Sequence, residues 1–420
     1  SNLEEKLDAK IRLKGDWSDH LIGNKWSFRV KINDGKTFNG LNKFSLQSPK
    51  TRNFIWEWIY HEILRFEGFP ALRYSFSPLV FNGNNLGTYA IEEHFDKILL
   101  ESNKFKEGPI IKLSESFLWL QRNRANKDGI KVFDKKGIEL IDLHDPLTRT
   151  HIDVFKEKYT LNNKNLHANF IKASQKLNGF IEGSLKTSEV FDTKRLATFL
   201  AISDLLNASH GLIWHNQRFY FDPISELLIP IGFDADAGNP LIDLAIDQTK
   251  TLNYFDDLRL LKMYVSELER LSSSKYLDSL LKKLNPELNY QLSIIHKSYP
   301  AYNFDKKVII NNQKKILNSI NPINPLNAYL NNENNNYLEL NIANNQSWPI
   351  QILGIYEGKK NIGYLQDPFL IKGKLLNQFP EYKLIKFLNQ KNNKDKANEF
   401  LELHYKIYGN SELKKLAIKP

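Results

Sequence analysis

The stretch His210-Gly-Leu-Ile-Trp-His-Asn216-Gln-Arg-Phe-Tyr220, followed by Ile229-Pro-Ile-Gly-Phe-Asp234-Ala-Asp236, decides how this chain is read. A polar cluster leads into one strand, Asp222-Pro223 turns it, a second apolar strand returns, and two carboxylates close the segment. On extended backbone Asp234 and Asp236 share a face. The same letters also describe an ordinary hairpin with polar ends, in which either Asp caps the next segment. The flanking sequence has to choose.

Three further stretches precede it. Arg12-Leu-Lys-Gly15-Asp-Trp-Ser18 runs on to Lys25-Trp-Ser-Phe28-Arg-Val-Lys31. Thr51-Arg52-Asn53 opens a helical pattern that ends in Phe66-Glu-Gly-Phe-Pro70. Phe81-Asn-Gly83-Asn-Asn-Leu-Gly87-Thr-Tyr89-Ala-Ile-Glu-Glu93 has the form of a hairpin. Taken in this order, the four stretches resemble the CotH kinase family, the spore-coat-protein-H-like atypical kinases. The likeness covers about residues 8–240.

The resemblance implies ATP as the phosphoryl donor, Mg²⁺ or Mn²⁺ as cofactor, and a protein acceptor. Kinases end a catalytic loop in a metal-binding Asn and follow it with a hairpin and a magnesium-binding Asp. By this likeness Asn216 and Asp234 hold the ion, with Asp236 as a helper. Lys25 falls on the family's Lys-x-Ser-Tyr position, with Lys31 as the alternative and Arg29 on the same face, to meet the phosphates. Glu57 and Glu62 are the candidates to hold that lysine, while Arg52 meets phosphate or caps the fold. The strand that ends in Glu92 and Glu93 would pass the adenine. Trp119 and Trp214 are expected in the core rather than on a base. One departure stands out. The family's catalytic-loop Asp falls on Gly211, so His210 and Asp204 are the replacement candidates for the base.

Outside these motifs, 420 residues with 41% hydrophobic content suit two domains with packed cores. No apolar run reaches membrane-spanning length. The missing initiator Met and the absence of a signal-peptide pattern read as a processed or trimmed chain. With no Cys there are no disulfides and no thiolate sites. The net charge of +10 comes from lysines scattered among asparagines, which reads as a solvated surface, so nucleic acid is not the expected partner.

The organisation follows from periodicity. Strands are expected at 10–14, 25–32 and 42–47, the second with Trp26, Phe28, Val30 and Ile32 on one face and Lys25, Ser27, Arg29 and Lys31 on the other. A helix spans 51–67 and a hairpin follows. Further helices are expected at 115–123, 166–183, 194–208, 256–284 and 286–296. Prolines and asparagines at 318–325 read as a linker, and strands at 337–342, 349–356, 369–374 and 382–388 read as a spacer or adhesion module.

The expected architecture is α+β: a two-lobed kinase-like fold over 1–317 (small lobe about 8–100, large lobe about 101–317), then a β-sandwich-like module over 318–420. The expected activity is ATP- and magnesium-dependent phosphorylation of a protein Ser/Thr, at the cell surface or otherwise outside the cytoplasm. A nucleotide-binding pseudokinase scaffold, or a basic module for polysaccharide or nucleic acid, is the rival.

Overall fold

A computed structural model describes residues 6–15, 25–132, 150–248, 252–374, 379–390 and 400–420. The chain divides into two compact units, one of Ser1–Leu260 with Ser273–Gln313 and one of Leu261–Ser272 with Lys314–Pro420.

The first unit opens with an antiparallel sheet. Its strands are β1 (Ala9–Leu13), β2 (Phe28–Ile32), β3 (Lys43–Gln47), then, after helix α1 (Ile55–Phe66), β4 (Tyr74–Phe81) and β5 (Asn84–Glu93), in spatial order β1-β2-β3-β5-β4. The alternation read from sequence places Phe28, Val30 and Ile32 inward, where Val30 and Ile32 join Leu41, Phe44 and Ile91 in one cluster. Trp26 breaks the pattern: it lies ahead of β2 and is exposed. The other face is set by register. Arg12 faces Arg29, Arg29 faces Ser45, Ser45 faces Glu92 and Glu92 faces Tyr74, a single polar row across five strands. The β4–β5 turn has Asn82 and Gly83 both at positive φ, the conformation an Asn-Gly hairpin requires.

Helix α1 is apolar nearly all round. Trp56, Trp58, Ile59, Tyr60, Ile63 and Leu64 are buried, and it packs on β4 and on helices described below. Such burial stabilises by roughly 1.5–3 kcal/mol for each large apolar side chain. Its entry is a 3-10 turn, Pro49–Arg52, followed by Asn53 and Phe54, both at positive φ. Asn53 Nδ2 donates to Ala237 O at 2.9 Å, and Phe54 stacks on Tyr302 at 4.3 Å, so side chains anchor this unusual backbone.

Next come α2 (Lys97–Ser102), β6 (Ile110–Leu113), α3 (Ser116–Lys127), β7 (Ile152–Val154), α4 (Glu157–Asn162), α5 (Lys164–Ile181), α6 (Thr187–Val190) and α7 (Thr193–Leu206). Strands β8 (Arg218–Asp222) and β9 (Leu227–Ile231) complete a second antiparallel sheet, ordered β7-β6-β8-β9. Helix α7 is almost wholly buried and packs on α1 and β9. Asn207 ends it in the left-handed conformation, and two 3-10 turns, Ser209–Leu212 and Trp214–Asn216, carry the chain into β8.

Helices α8 (Leu258–Leu271), α9 (Ser274–His296) and α10 (Lys307–Ile320) follow. The expected break at Pro286 does not occur. Pro286 lies inside α9 on an exposed turn, where water can satisfy the carbonyl it frees. The break falls instead before Ser273, whose side chain accepts the Tyr276 N–H and caps α9.

The second unit holds β10 (Leu326–Glu333), β11 (Tyr337–Asn344), β12 (Ile350–Glu357), β13 (Lys360–Tyr364), β14 (Phe369–Ile371), β15 (Tyr382–Asn389), β16 (Leu401–Ile407) and β17 (Lys414–Ala417). The expected sandwich takes the form of one curled sheet, ordered β10-β11-β15-β13-β12-β16-β17, with β14 on β12. Its two ends meet at a bridge between Tyr329 and Lys419, which leaves no long open edge between the first and last strands. Leu340, Ile342, Ile350, Ile352, Phe387 and Leu403 fill the interior.

Candidate functional site

The polar row of the first sheet forms one wall of a cleft of about 530 Å³. Arg12, Arg29, Glu92 and Glu93 come from that sheet, Lys14 from just past β1, Arg52 from the turn before α1, Lys112 from β6, Glu115 from the residue ahead of α3, and Trp119 and Arg122 from α3. The lining is completed by His210, His215, Asn216, Arg218, Phe233 and Asp234, from the 3-10 turns after α7, the start of β8 and the loop after β9.

Lys14 lies just past the end of β1, two residues on from Arg12, with its N–H donating to Ser27 O at 2.9 Å. Its Nζ meets Glu92 Oε2 at 2.7 Å and Gln47 Oε1 at 3.2 Å, and this pair is almost fully buried. Burial pulls Lys14 below the usual lysine range, and Glu92 offsets only part of that. Burial acts on Glu92 in the opposite sense, yet the positive charges of Lys14 and Arg52 hold its carboxyl below its ordinary value. Arg29 is pulled down by burial, and its Nε has no partner among the described residues.

Asp234 is the electrostatic centre. It sits at positive φ just past β9, with Arg52 Nη2 2.8 Å and His210 Nδ1 3.3 Å from Oδ1. Burial works against its charge, but Arg52 and His210 outweigh it and hold the carboxyl far below the usual carboxylate range. His210 Nδ1 also donates to Asp234 O at 2.8 Å. Burial alone would lower the His210 pKa; the Asp234 carboxylate raises it to about 9. Asn216 Nδ2 donates to His210 O at 3.0 Å, so Asn216 and Asp234 are both tied to the same histidine. Behind them Glu57, fully buried on α1, accepts the Ala235 N–H at 3.2 Å. Burial pushes Glu57 up to about 8 despite Arg52, and its Oε2 has no hydrogen-bond partner among the described residues.

The cleft therefore gathers Arg29, Arg52, Glu92, Glu93, Trp119, His210, Asn216 and Asp234 from the residues singled out in the sequence. The others lie elsewhere. Lys25 donates to Thr88 O at 3.1 Å and lies over the Tyr299 ring, because it precedes β2 rather than extending its alternation. Lys31 shares the face of Arg29 but lies further along β2, facing Lys10 and Lys43 over a different surface depression. Glu62 pairs with Arg65 on its own helix. Asp204 is buried and accepts the Ala245 N–H at 2.7 Å, a structural contact. Asp236 is exposed beyond the cleft lining, and burial of its carboxyl still raises its pKa. Glu93 is held by Arg73, with its Oε1 2.5 Å from Nη2. Trp119 lies on the cleft wall and donates to Glu115 Oε2 at 3.3 Å, and Trp214 is half-buried edge-on to His215. Of the loop beginning at Gly15, residues 16–18 fall outside the described residues.

The slot of the missing loop carboxylate has a physical cause. A Cβ on Gly211 would lie 3.0 Å from Phe233 O and 3.4 Å from Ala235 Cα, so the backbone around Asp234 packs against the glycine. Sequence reasoning missed Lys14, Lys112, Arg122 and Arg218. Lys14 was legible, since it continues the alternation of Lys10 and Arg12 along β1. The other three reach the cleft only through the β6–β8 pairing and the placement of α3.

Among the described residues no group of three or more His, Asp or Glu side chains is arranged to hold a metal ion. None of the described helices is long and apolar enough to cross a membrane. A family model described as CotH kinase protein matches residues 11–241, a span that contains every residue lining the cleft. No curated protein matches the chain.

Proposed function

The chain belongs to the CotH kinase family, and from that premise we propose that its cleft binds ATP and transfers the terminal phosphoryl group to a protein hydroxyl. The observation that carries this reading is the meeting of Asp234 and Asn216 at His210, in one cleft with the cations Arg12, Lys14 and Arg29. Phosphoryl transfer asks a protein mainly for positioning and charge neutralisation, and this arrangement is of that kind. In this reading the first sheet with α1 acts as a small lobe, and the unit around the second sheet and α7 as a larger one. Lys14, held by Glu92, takes the part first expected of Lys25.

A divalent cation fits the donors only in a shared role. Asp234 and Asn216 offer hard oxygens, but two protein ligands leave the rest of an octahedral shell to phosphate and water. When bound, such an ion neutralises phosphate charge. Arg52 and His210 now lie against Asp234 Oδ1, so ion binding would have to compete with both.

His210 keeps its proton at neutral pH, since its pKa lies near 9. We therefore assign it to charging and orienting Asp234 rather than to general-base work. A nucleotide-binding pseudokinase is the second reading, and Gly211 with its crowded surroundings favours it. Two measurements separate the readings. ATP with Mg²⁺ or Mn²⁺ should raise the melting temperature, and Asp234→Ala should abolish the rise. Labelled γ-phosphate should pass to an acceptor protein. A thermal shift without transfer supports the scaffold, and no shift with any nucleotide–metal pair overturns both.

A further inference from the structure

We propose that the β8 end of this cleft is an anion site in its own right, where Arg218 takes a phosphate-type oxyanion without a divalent cation. The site goes beyond the phosphoryl-transfer reading and stands or falls separately from it.

Arg218 is 6% exposed. One of its terminal nitrogens is used locally, donating to His215 O at 2.8 Å and Gln217 O at 2.9 Å. Its Nε is buried and has no partner among the described residues. Glu115, Asp234 and Asp153 act on it only at longer range, and among the described residues no carboxylate comes within ion-pairing distance. Two other cations of the cleft are matched, Lys14 by Glu92 and Arg52 by Asp234. A buried guanidinium without a counter-charge destabilises a fold, so its presence at a cleft wall calls for a ligand that supplies the charge.

The surroundings prepare the guanidinium for such a ligand. Its carbon lies 4.8 Å from the Phe233 ring centre, 5.9 Å from Phe155 and 6.0 Å from Phe95. The rings offset part of the charge cost and restrict the plane of the side chain, but they offer no conventional lone-pair acceptor to its donors. The buried Nδ1 of His215 beside it also lacks a partner among the described residues. Lys112 faces Arg218 directly across the β6–β8 register. A forked donor, an imidazole and an ammonium lining one cleft suit the oxygens of a phosphate.

The experiment measures thermal shifts in EDTA with inorganic phosphate and tripolyphosphate, on wild type, Arg218→Met and Asp234→Asn. Wild type and Asp234→Asn should both gain melting temperature with the anion. Arg218→Met should show no gain, and without anion should melt at or above the wild type, as expected when an unmatched buried charge is replaced by an apolar side chain. A retained shift in Arg218→Met, or a variant that melts lower and still responds to the anion, overturns the proposal. Should Arg218→Met fail to fold, tungstate soaked into wild-type crystals decides. Tungsten density beside Arg218 supports the site, and density only at Arg52 and Lys14, or none, refutes it. Competition between ATP and phosphate would assign the anion to the nucleotide, additive shifts to the acceptor, and either supports the site. A phosphate shift that persists where Mg·ATP gives none would remove the phosphoryl-transfer reading alone.

Discussion

Asp234 keeps its charge against burial because Arg52 and His210 both lie against Oδ1, and the same coupling returns to His210 as a pKa near 9. A group whose folded pKa exceeds its unfolded value contributes stability that is complete below the unfolded pKa and fades up to the folded one. The His210 contribution is therefore present below about 6.5 and lost as pH rises toward 9. NMR of the histidine rings should find His210 titrating near 9, and in Asp234→Asn below 6.5, where burial acts unopposed. A wild-type titration at or below 6.5 would contradict the pairing. Arg52 is tested by Arg52→Ala, which strands a buried carboxylate and should cost on the order of 3–5 kcal/mol in denaturant unfolding at pH 7. At the neighbouring slot, Gly211→Asp should not create or raise transferase activity. The new side chain meets Phe233 O at the Cβ already, so the substitution should lower the melting temperature, and a gain of turnover would show that the slot can open.

Helix α1 shows why some elements are easy to read and their chemistry is not. Its position was legible from helical spacing and Gly68, and the Asn82-Gly83 hairpin from its turn, because both signals are local. The segment around Asn216 and Asp234 was legible for the same reason. Arg218 gains its meaning from cross-strand register, which one chain read alone does not disclose, and Lys25 differs because the alternation does not extend ahead of the start of β2. Glu57 was read as a partner for a lysine, yet α1 points it at the Ala235 N–H, the residue after Asp234. With a folded pKa near 8 against an ordinary 4.5, Glu57 stays largely protonated at pH 7, and the stability it lends is complete below 4.5 and lost on rising toward 8. Glu57→Gln should therefore fold normally at pH 7 and flatten the decline of melting temperature between pH 4.5 and 8. Glu57→Ala leaves a buried N–H unsatisfied and should cost at least about 1–3 kcal/mol. Equal losses in the two variants would mean that Glu57 works as a charge.

At the scale of the whole chain, asparagines and prolines mark a change of structure at 318–325, and the expected domain border was placed there. The two compact units divide earlier, between Gln313 and Lys314 inside α10, and the second also takes in Leu261–Ser272 from the middle of the sequence. The reason is visible in that unit's packing. Tyr264 and Val265 are fully buried, with the Tyr264 ring 6.1 Å from Trp348, and Ser411 N–H donates to Glu269 at 3.1 Å. The backbone at Lys262 comes so close to Gly409 that a Cβ there would lie 2.4 Å from Lys262 O. Part of α8 thus has its apolar face covered only when the C-terminal strands are present, a dependence that no linker composition reveals. A fragment of residues 1–317 keeps Tyr264, Val265 and Leu268 and loses what covers them. Exposed aromatic and aliphatic surface of that kind is an association site. Such a fragment should bind a hydrophobic dye, melt below the full chain and associate in light scattering, and Tyr264→Ser with Val265→Ser should relieve the association. A fragment that stays monomeric, with the full chain's melting temperature, would mean that the first unit closes over this helix by itself.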